Sequence, residues 1–278
     1  MLDKINVAFI GPGVMAEAMA GRMITTAGVK PALIRMSGPS QARLQELKQQ
    51  YGVVVTTENI TAVQKADLVI LSVKPQSLPA IMEELRGCIP ADALVLSIVA
   101  GATCAVLSKG LNHAAIVRAM PNTPIQVGEG ITVWTATAAV SEEKKVIARD
   151  TLCSFGEEVF VEKEDYLDMA TALSGTGPAY VFLFMEAMVD AGVHLGFPRR
   201  IAEKLVVHTV KGSVAYYENS PRHLARLRNK VTSPGGTSAA ALYYLEKAGV
   251  RTAISRAIWA AYERSRELGR GEKADLNP

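Results

Sequence analysis

The fold is decided by the stretch Ile5-Asn-Val-Ala-Phe-Ile-Gly11-Pro-Gly13-Val-Met-Ala16, close to the N-terminus. An apolar, β-prone run leads directly into the pattern G-x-G-x-x-A, and a helix-forming segment follows it. In this pattern Gly11 permits a tight turn, Gly13 lets a pyrophosphate approach the backbone, and Ala16 lets the helix pack closely on the strand. A plain strand–helix turn could carry the same residues, but the strand before the pattern and the helix after it favour a dinucleotide site.

The second predicted strand, at residues 32–37, indicates which dinucleotide this is. A site for NAD normally carries Asp or Glu at the end of this strand, where the acid binds the ribose 2′-hydroxyl. No acidic residue occurs between residues 29 and 45, and cations and hydroxyls stand there instead: Arg35, Ser37, Ser40 and Arg43. Because a 2′-phosphate would meet attraction there, the sequence predicts NADP(H) as the preferred cofactor and NAD(H) as a second option. The alternative is that the arginines are simply solvated.

Length and composition fit two domains with a substantial core. The chain has 278 residues, of which 49% are hydrophobic and 21% are charged, and one domain usually takes about 100–200 residues. The formal net charge of +3 is too small to indicate a nucleic-acid partner. A basic cluster at residues 222–230 is explained by a solvated helix face or by side chains that face a cofactor phosphate.

The spacing of cysteines and histidines predicts neither a metal site nor a disulfide framework. The three cysteines are far apart and form no C-x-x-C pair, which favours a reducing compartment. The chain enters a predicted strand almost at once, so we expect no targeting peptide. No uncharged apolar run reaches about 18 residues, so we expect no membrane span. These observations together predict a cytoplasmic protein without a metal.

Hydrophobic periodicity divides the chain into an α/β half and an all-α half. Short β-branched runs occupy residues 7–10, 33–36, 53–56, 68–73, 94–99, 116–120, 131–135 and 159–161. Helical patterns separate the earlier runs, which predicts a mostly parallel Rossmann-type sheet with helices on both faces. Helical patterns alone follow, at residues 167–173, 179–195, 198–217, 238–247 and 251–268. We therefore place a dinucleotide-binding domain at residues 1–163 and a helical substrate-binding and dimerisation domain at residues 164–278.

One segment of the helical half is apolar nearly all round. Residues 182–189 read Phe-Leu-Phe-Met-Glu-Ala-Met-Val, which suggests burial deeper than a small monomeric bundle provides. A homodimer formed through the helical domain would supply the cover. The alternative is a helical cap that packs on its own sheet. The charged tail from Gly269 is predicted to be disordered.

Three predicted strand ends carry residues that suit a ligand cleft. One ends at the cation of Lys74-Pro75, the second at the small pair Ala100-Gly101, and the third at Asn122-Thr123 between two prolines. Ligands of open α/β sheets bind outside the carboxyl ends of the strands. Any one of these loops could be an ordinary connection, but the three together predict a nicotinamide cleft.

Residues 231–242 predict a second anion site, in the helical half. Pro234, Gly235 and Gly236 break regular structure, and Thr237 and Ser238 then open a helix. A helix start leaves backbone N–H groups without partners, and the two glycines let an anion approach them closely. The two hydroxyls can add hydrogen bonds. A plain capped helix after a loop is the alternative.

Taken together, these motifs resemble those of the pyrroline-5-carboxylate reductase family. The resemblance rests on the fingerprint at residues 11–16, Val-Lys-Pro at 73–75, Met-Pro-Asn-Thr-Pro at 120–124, Leu-Ser-Gly-Thr-Gly-Pro-Ala-Tyr at 173–180, and Val-Thr-Ser-Pro-Gly-Gly-Thr-Ser at 231–238. It covers nearly the whole chain. It implies NAD(P)H-dependent reduction of 1-pyrroline-5-carboxylate to L-proline, the last step of proline biosynthesis. It also implies an interlocked homodimer, often assembled into larger rings.

The resemblance also implies site residues. The positions that bind the dinucleotide in the family are Gly11, Pro12, Gly13, Val14, Met15, Ala16, Ser37, Asn59, Ser72, Val73, Lys74, Pro75, Ala100 and Gly101, to which the 2′-phosphate argument adds Arg35. The loop that binds the imino acid supplies Ser233, Gly235, Gly236, Thr237 and Ser238. Thr237 and Ser238 are the predicted catalytic residues, with the Ser238 hydroxyl near the ring nitrogen.

Two other functions fit parts of the pattern. A related imine or β-hydroxyacid dehydrogenase would use the same two-domain plan, but residues 173–178 lack the lysine that such an enzyme would place there. A regulatory protein that has lost its site should show a damaged fingerprint or anion loop, and both are intact. The reductase is therefore the leading hypothesis.

Overall fold

The computed structural model describes residues 2–270. These residues form two compact units, one of residues 2–176 with 260–270 and the other of residues 177–259. The first unit extends past the boundary predicted at residue 163 because Glu164 and Asp168 pair with Arg118 of the sheet. That predicted boundary, between residues 163 and 164, stays a prediction.

The first unit is built on one eight-stranded sheet with the order β3-β2-β1-β4-β5-β6-β7-β8. Its strands are β1 (Val7–Ile10), β2 (Ile34–Ser37), β3 (Val54–Thr56), β4 (Leu68–Leu71), β5 (Leu94–Ser97), β6 (Ile116–Met120), β7 (Gly130–Ala136) and β8 (Gly156–Phe160). All neighbouring strands are parallel except β6 and β7, which are antiparallel. The predicted Rossmann-type, mostly parallel sheet is therefore confirmed.

Helices cover both faces of this sheet. They are α1 (Val14–Thr25), α2 (Gln41–Tyr51), α3 (Asn59–Val63), α4 (Leu78–Leu85), α5 (Cys104–Leu111), α6 (Glu142–Cys153) and α7 (Tyr166–Ala170). Alternate residues of β1 enter two apolar clusters, with Phe9 in one and Ile10 in the other. Both side chains are completely buried, which explains why the strands read as continuous apolar runs.

Local signals fix where these helices begin and end. The Ser40 hydroxyl caps α2 by accepting from Arg43 N at 3.3 Å, and Gly52 ends that helix with a φ of 72°. The Thr103 hydroxyl caps α5 in the same way. A π-helical turn, Thr171–Gly175, follows α7.

The second unit contains only helices. They are α8 (Gly177–His194), α9 (Arg199–Glu218), α10 (Leu224–Lys230), α11 (Thr237–Lys247) and the start of α12 (Val250–Gly269), which ends in the first unit. Its apolar core is small and centres on Val189, Ala202 and Val206. Gly269 belongs to α12, so the predicted disorder is wrong at that residue, and residues 271–278 lie outside the described residues.

Large apolar side chains are exposed along α8. Phe182 is 64% exposed and Leu183 is 67% exposed. Among the described residues, one helical stretch, Tyr166–His194, is long and apolar enough by length and composition to cross a membrane, although only 11% of its apolar 18-residue window is buried within the chain. An interface between protein chains produces the same features, so they are weak evidence for a membrane.

Candidate functional site

The fingerprint loop is held tightly between β1 and the loop after β4. Gly11 has a φ of 99°, and a Cβ atom there would lie 2.8 Å from Val73 Cγ1 and 2.9 Å from the Ser72 carbonyl oxygen. The Ser72 hydroxyl donates to the Gly11 carbonyl oxygen at 2.9 Å. Because a side chain would enter occupied space in a backbone conformation that favours glycine, the turn requires glycine at residue 11.

The next part of the fingerprint is open to a ligand. Helix α1 begins at Val14 without any side-chain cap from Gly13, so its first N–H groups lack intrahelical acceptors. A Cβ atom at Gly13 would meet no atom within 4 Å, and Val14 is 63% exposed. Met15 is half-buried and Ala16 is buried, which lets α1 pack on the sheet. This cradle fits the pyrophosphate of a dinucleotide.

Ser37 and Asn59 meet at the carboxyl end of β2. The buried Ser37 hydroxyl donates to Asn59 Oδ1 at 2.7 Å, and Asn59 Nδ2 donates to Glu84 Oε2 at 2.8 Å. Gly38 follows directly and lies against Pro12 of the fingerprint. Three predicted cofactor residues, Pro12, Ser37 and Asn59, therefore border one edge of the sheet.

Arg35 does not join this group. It lies two residues before the end of β2, and its Nη1 donates to the Thr61 carbonyl oxygen at 3.0 Å, beside a cleft that Lys65 also lines. Arg43 reaches the fingerprint instead, where its Nε donates to the Pro12 carbonyl oxygen at 3.2 Å. Two residues of a strand span about 6.6 Å, which accounts for the separation of Arg35 from the end of β2. The role of Arg35 in cofactor binding stays a prediction.

The two predicted loops after β4 and β5 differ in exposure. Lys74 is exposed and Pro75 opens a 3-10 turn, Pro75–Ser77. Ala100 is half-buried, whereas Gly101 is buried with a φ of 75°. A Cβ atom at Gly101 would lie 2.8 Å from the Gly269 nitrogen. The end of α12 therefore supplies a structural reason for glycine at residue 101.

Arg118 is a buried cation that our sequence analysis did not interpret. Its side chain is 2% exposed, and its guanidinium pairs with Glu164 at 3.0 Å and with Asp168 at 3.2 Å. Asp168 also accepts from the Ser265 hydroxyl at 2.8 Å. Arg118 thus ties α7 and α12 to the strand that leads into the predicted cleft. An arginine inside an apolar strand is the signal that could have revealed a buried ion pair.

Glu164 also faces the start of α5. Its Oε1 accepts from the Cys104 backbone nitrogen at 2.7 Å. Burial, and after it the negative charge of Glu164, raises the pKa of the Cys104 thiol to about 12. A thiol with this pKa stays protonated near neutral pH. The carboxamide of Asn122, in the neighbouring loop, accepts from Ile131 N at 3.0 Å and so closes that loop.

The predicted anion loop of the second unit leads directly into α11. Gly235 has a φ of 71°, and the Gly236 nitrogen donates to the Ser233 carbonyl oxygen at 3.0 Å. Gly236 is the N-cap of α11 and provides no side chain to cap it. Thr237 is exposed and Ser238 is half-buried. The structure therefore brings all five predicted substrate residues into one turn, whose N–H groups suit a small carboxylate.

No group of three or more potential ligands from histidine, cysteine, aspartate and glutamate occurs within residues 2–270. The predicted sites offer instead polar side chains and the N–H groups of two helix starts. They suit the binding of anions and the donation of hydrogen bonds.

Comparisons with known proteins agree over nearly the whole chain. Residues 164–268 match the family model described as pyrroline-5-carboxylate reductase dimerisation, and residues 6–101 match the model described as NADP oxidoreductase coenzyme F420-dependent. The chain is 41% identical to the pyrroline-5-carboxylate reductase of Synechocystis over 96% of its own length and 99% of that protein. It is 38% identical to the pyrroline-5-carboxylate reductase of Pseudomonas aeruginosa, over 95% of this chain and 96% of that protein.

Solved structures agree with this. The pyrroline carboxylate reductase of Plasmodium falciparum, crystallised with NADP bound, superposes with a TM-score of 0.90 at 31% identity and covers 97% of this chain and 100% of its own. The pyrroline-5-carboxylate reductase of Coxiella burnetii superposes with a TM-score of 0.86 at 36% identity and covers 97% of this chain and 99% of its own. On these grounds the chain belongs to the pyrroline-5-carboxylate reductase family.

Proposed function

We propose that this protein is an oxidoreductase that reduces 1-pyrroline-5-carboxylate to L-proline with NADPH, the final step of proline biosynthesis. The observation that carries the proposal is the start of α11, where Gly235 and Gly236 leave an uncapped helix N-terminus in a chain that also has an intact fingerprint. Family membership over nearly the full length supports it, as does the related reductase structure with NADP bound.

The fingerprint edge, by which we mean the fingerprint at residues 11–16 together with the end of β2, would hold the cofactor. The N–H groups at the start of α1 bind the pyrophosphate, and Ser37 and Asn59 lie where β2 ends, which suits a ribose. The remaining proposed contacts follow the adjoining strand ends: Ser72, Val73, Lys74, Pro75, Ala100 and Gly101. When bound, NADPH supplies a hydride, and NADH is the second option.

The start of α11 would hold the substrate carboxylate. An anion there is stabilised by free N–H groups and by the helix dipole, typically by about 0.3–1 kcal/mol for the dipole alone. The hydroxyls of Thr237 and Ser238 add hydrogen bonds, and Ser233 orders the preceding turn through the Gly236 nitrogen. Ser238 would orient the ring nitrogen, which enters as an iminium or takes its proton from water or from the Ser238 hydroxyl.

The helical unit would act as a homodimer. Its apolar core is small, while Phe182, Leu183 and Tyr244 are each more than 60% exposed. Residues 164–268 match a dimerisation model, so a second copy of the chain accounts for both features. A larger ring-like assembly of such dimers and a cytoplasmic location complete the proposal, and no nucleic acid or membrane takes part in it.

The experiment is to add 1-pyrroline-5-carboxylate to the purified protein and to follow oxidation of NADPH and, separately, of NADH. We expect rapid oxidation with formation of L-proline, faster with NADPH. A folded protein that binds NADPH but oxidises neither cofactor would contradict the proposal.

A further inference from the structure

The guanidinium of Arg43 lies between carboxylates from two different helices. Its Nη2 pairs with Glu17 of α1, and its Nη1 pairs with Glu46 Oε2 of α2 at 3.2 Å. Its Nε donates to the Pro12 carbonyl oxygen at 3.2 Å. Arg43 is therefore fixed against the fingerprint loop, one turn beyond the end of β2.

The two glutamates differ in how firmly they are held. Glu46 is 64% exposed, whereas Glu17 is 23% exposed. Glu17 also accepts a hydrogen bond from the Tyr51 hydroxyl at 3.2 Å. Burial raises the pKa of Tyr51, and the charge of Glu17 raises it further. Solvent therefore screens Glu46 strongly, while Glu17 is a fixed negative charge at this edge.

This arrangement has a consequence for a dinucleotide. The phosphate on the adenosine ribose of NADP is read near the end of the second strand, which ends at Ser37 and is followed by Ser40 and Arg43 at the start of α2. Arg43 there faces the less exposed carboxylate of Glu17 and the solvent-screened carboxylate of Glu46, so its positive charge is offset mainly by Glu17. A 2′-phosphate gains from Arg43 but is repelled by Glu17, whereas a 2′-hydroxyl is almost indifferent to both.

We propose that Glu17 is a specificity-determining residue that narrows the preference of the protein for NADPH over NADH. The inference rests on the proposed function only in taking the fingerprint edge as the dinucleotide site. Arg43 supplies the attraction for the 2′-phosphate, and Glu17 offsets part of it while it holds Arg43 against Pro12. Sequence reasoning missed Glu17 because it stands on α1, outside the strand that normally carries the discriminating acid.

The test is to measure the dissociation constants of NADPH and NADH for the wild type, Glu17→Gln and Glu46→Gln. Glutamine keeps one acceptor oxygen for Arg43, its amide can donate to the Tyr51 hydroxyl oxygen, and the negative charge is removed. We expect Glu17→Gln to tighten NADPH binding by about three- to tenfold and to change NADH binding by less than about twofold. The matched control Glu46→Gln should change the dissociation constants of NADPH and NADH by less than about twofold, because solvent screens the charge of Glu46 in the wild type.

Binding of adenosine 2′,5′-bisphosphate against adenosine 5′-monophosphate gives the same comparison without the nicotinamide. An unchanged or weakened NADPH affinity in Glu17→Gln, with melting temperature retained, would overturn the inference. If Glu17→Gln does not tighten NADPH binding while the wild type still reduces the imine, this inference is wrong and the proposed function stands. If the wild type binds neither dinucleotide, both proposals fail.

Discussion

The protein has two glycine-rich helix starts, and they are built in different ways. At the start of α1, Gly11 is enforced by its own chain, since a Cβ atom would meet Val73 and Ser72. At the start of α11, a Cβ atom at Gly235 would meet nothing within 4 Å, and its φ of 71° alone favours glycine. The first cradle is made by packing against a buried sheet. The second depends on backbone conformation at Gly235 and on the close approach of Ser233 to Gly236, in a unit with a small core.

This difference predicts different responses to mutation. A glycine set by packing should couple ligand binding to the stability of the fold, because the same contacts serve both. A glycine set by backbone conformation should affect its own turn and leave the dinucleotide site unchanged. Substitutions at the two helix starts can therefore test this difference.

The largest effect is expected at the fingerprint. Gly11→Ala places a methyl group against the Ser72 backbone at a positive φ, and backbone strain of this kind costs about 1–3 kcal/mol before any clash. We expect a lowered melting temperature and a loss of NADPH affinity of about a hundredfold or more. Thermal denaturation and an NADPH titration measure the two effects.

Gly13→Ala is the matched control for Gly11→Ala. Its Cβ atom has open space in the protein alone, so the melting temperature should hold. NADPH affinity should still fall about tenfold or more, because the methyl group occupies the approach of the pyrophosphate. Equal loss of stability in the two variants would contradict the packing explanation for Gly11.

The next largest effect is expected at the N-cap of α11. In Gly236→Ala the new Cβ atom would lie 2.5 Å from Ser233 Oγ and 3.2 Å from the Ser233 carbonyl oxygen. We expect the KM for 1-pyrroline-5-carboxylate to rise about tenfold, because the turn must shift and its N–H groups move. The NADPH dissociation constant, measured by titration, should stay within about twofold. A parallel loss of NADPH affinity would mean that the two helix starts do not act separately.

A smaller effect is expected at Gly235, one residue before the N-cap Gly236. Gly235→Ala meets no neighbour within 4 Å, so it carries only the cost of a left-handed residue, about 1–2 kcal/mol. Chemical denaturation should show this loss of unfolding free energy. Gly235→Asn should lose less, because asparagine tolerates this conformation. Equal losses in the two variants would argue that the φ of Gly235 is not the cause.

The sequence predicted the sheet well and the long-range contacts poorly. All eight strands lie at or within a few residues of the predicted runs. A continuous apolar pattern marks the strands buried on both faces, β1, β4, β5 and β6, whereas β3 and β8 are partly exposed. Helix α10 lies in the basic cluster at residues 222–230, for which a solvated helix face was one of the two explanations. The start of α11 was predicted, because proline, glycines and hydroxyls act within one turn.

The parts that the sequence did not predict depend on partners far along the chain. Arg118 pairs with acids 46 and 50 residues away. Arg43 rather than Arg35 reaches the fingerprint because the direction of a side chain depends on packing and not only on sequence spacing. Gly101 packs against the end of α12 at Gly269, which is more than 160 residues further along the chain. Local patterns carry no information on such contacts.

The central claim is that the start of α11 holds the imino acid while the fingerprint separately holds the dinucleotide. The most direct test is Ser238→Ala, with kcat/KM for 1-pyrroline-5-carboxylate and the NADPH dissociation constant measured on the same preparation. We predict that kcat/KM falls about tenfold or more, since one positioned hydroxyl is lost, and that NADPH affinity changes by less than about twofold. Unchanged turnover, or an equal loss of NADPH affinity, would contradict the claim.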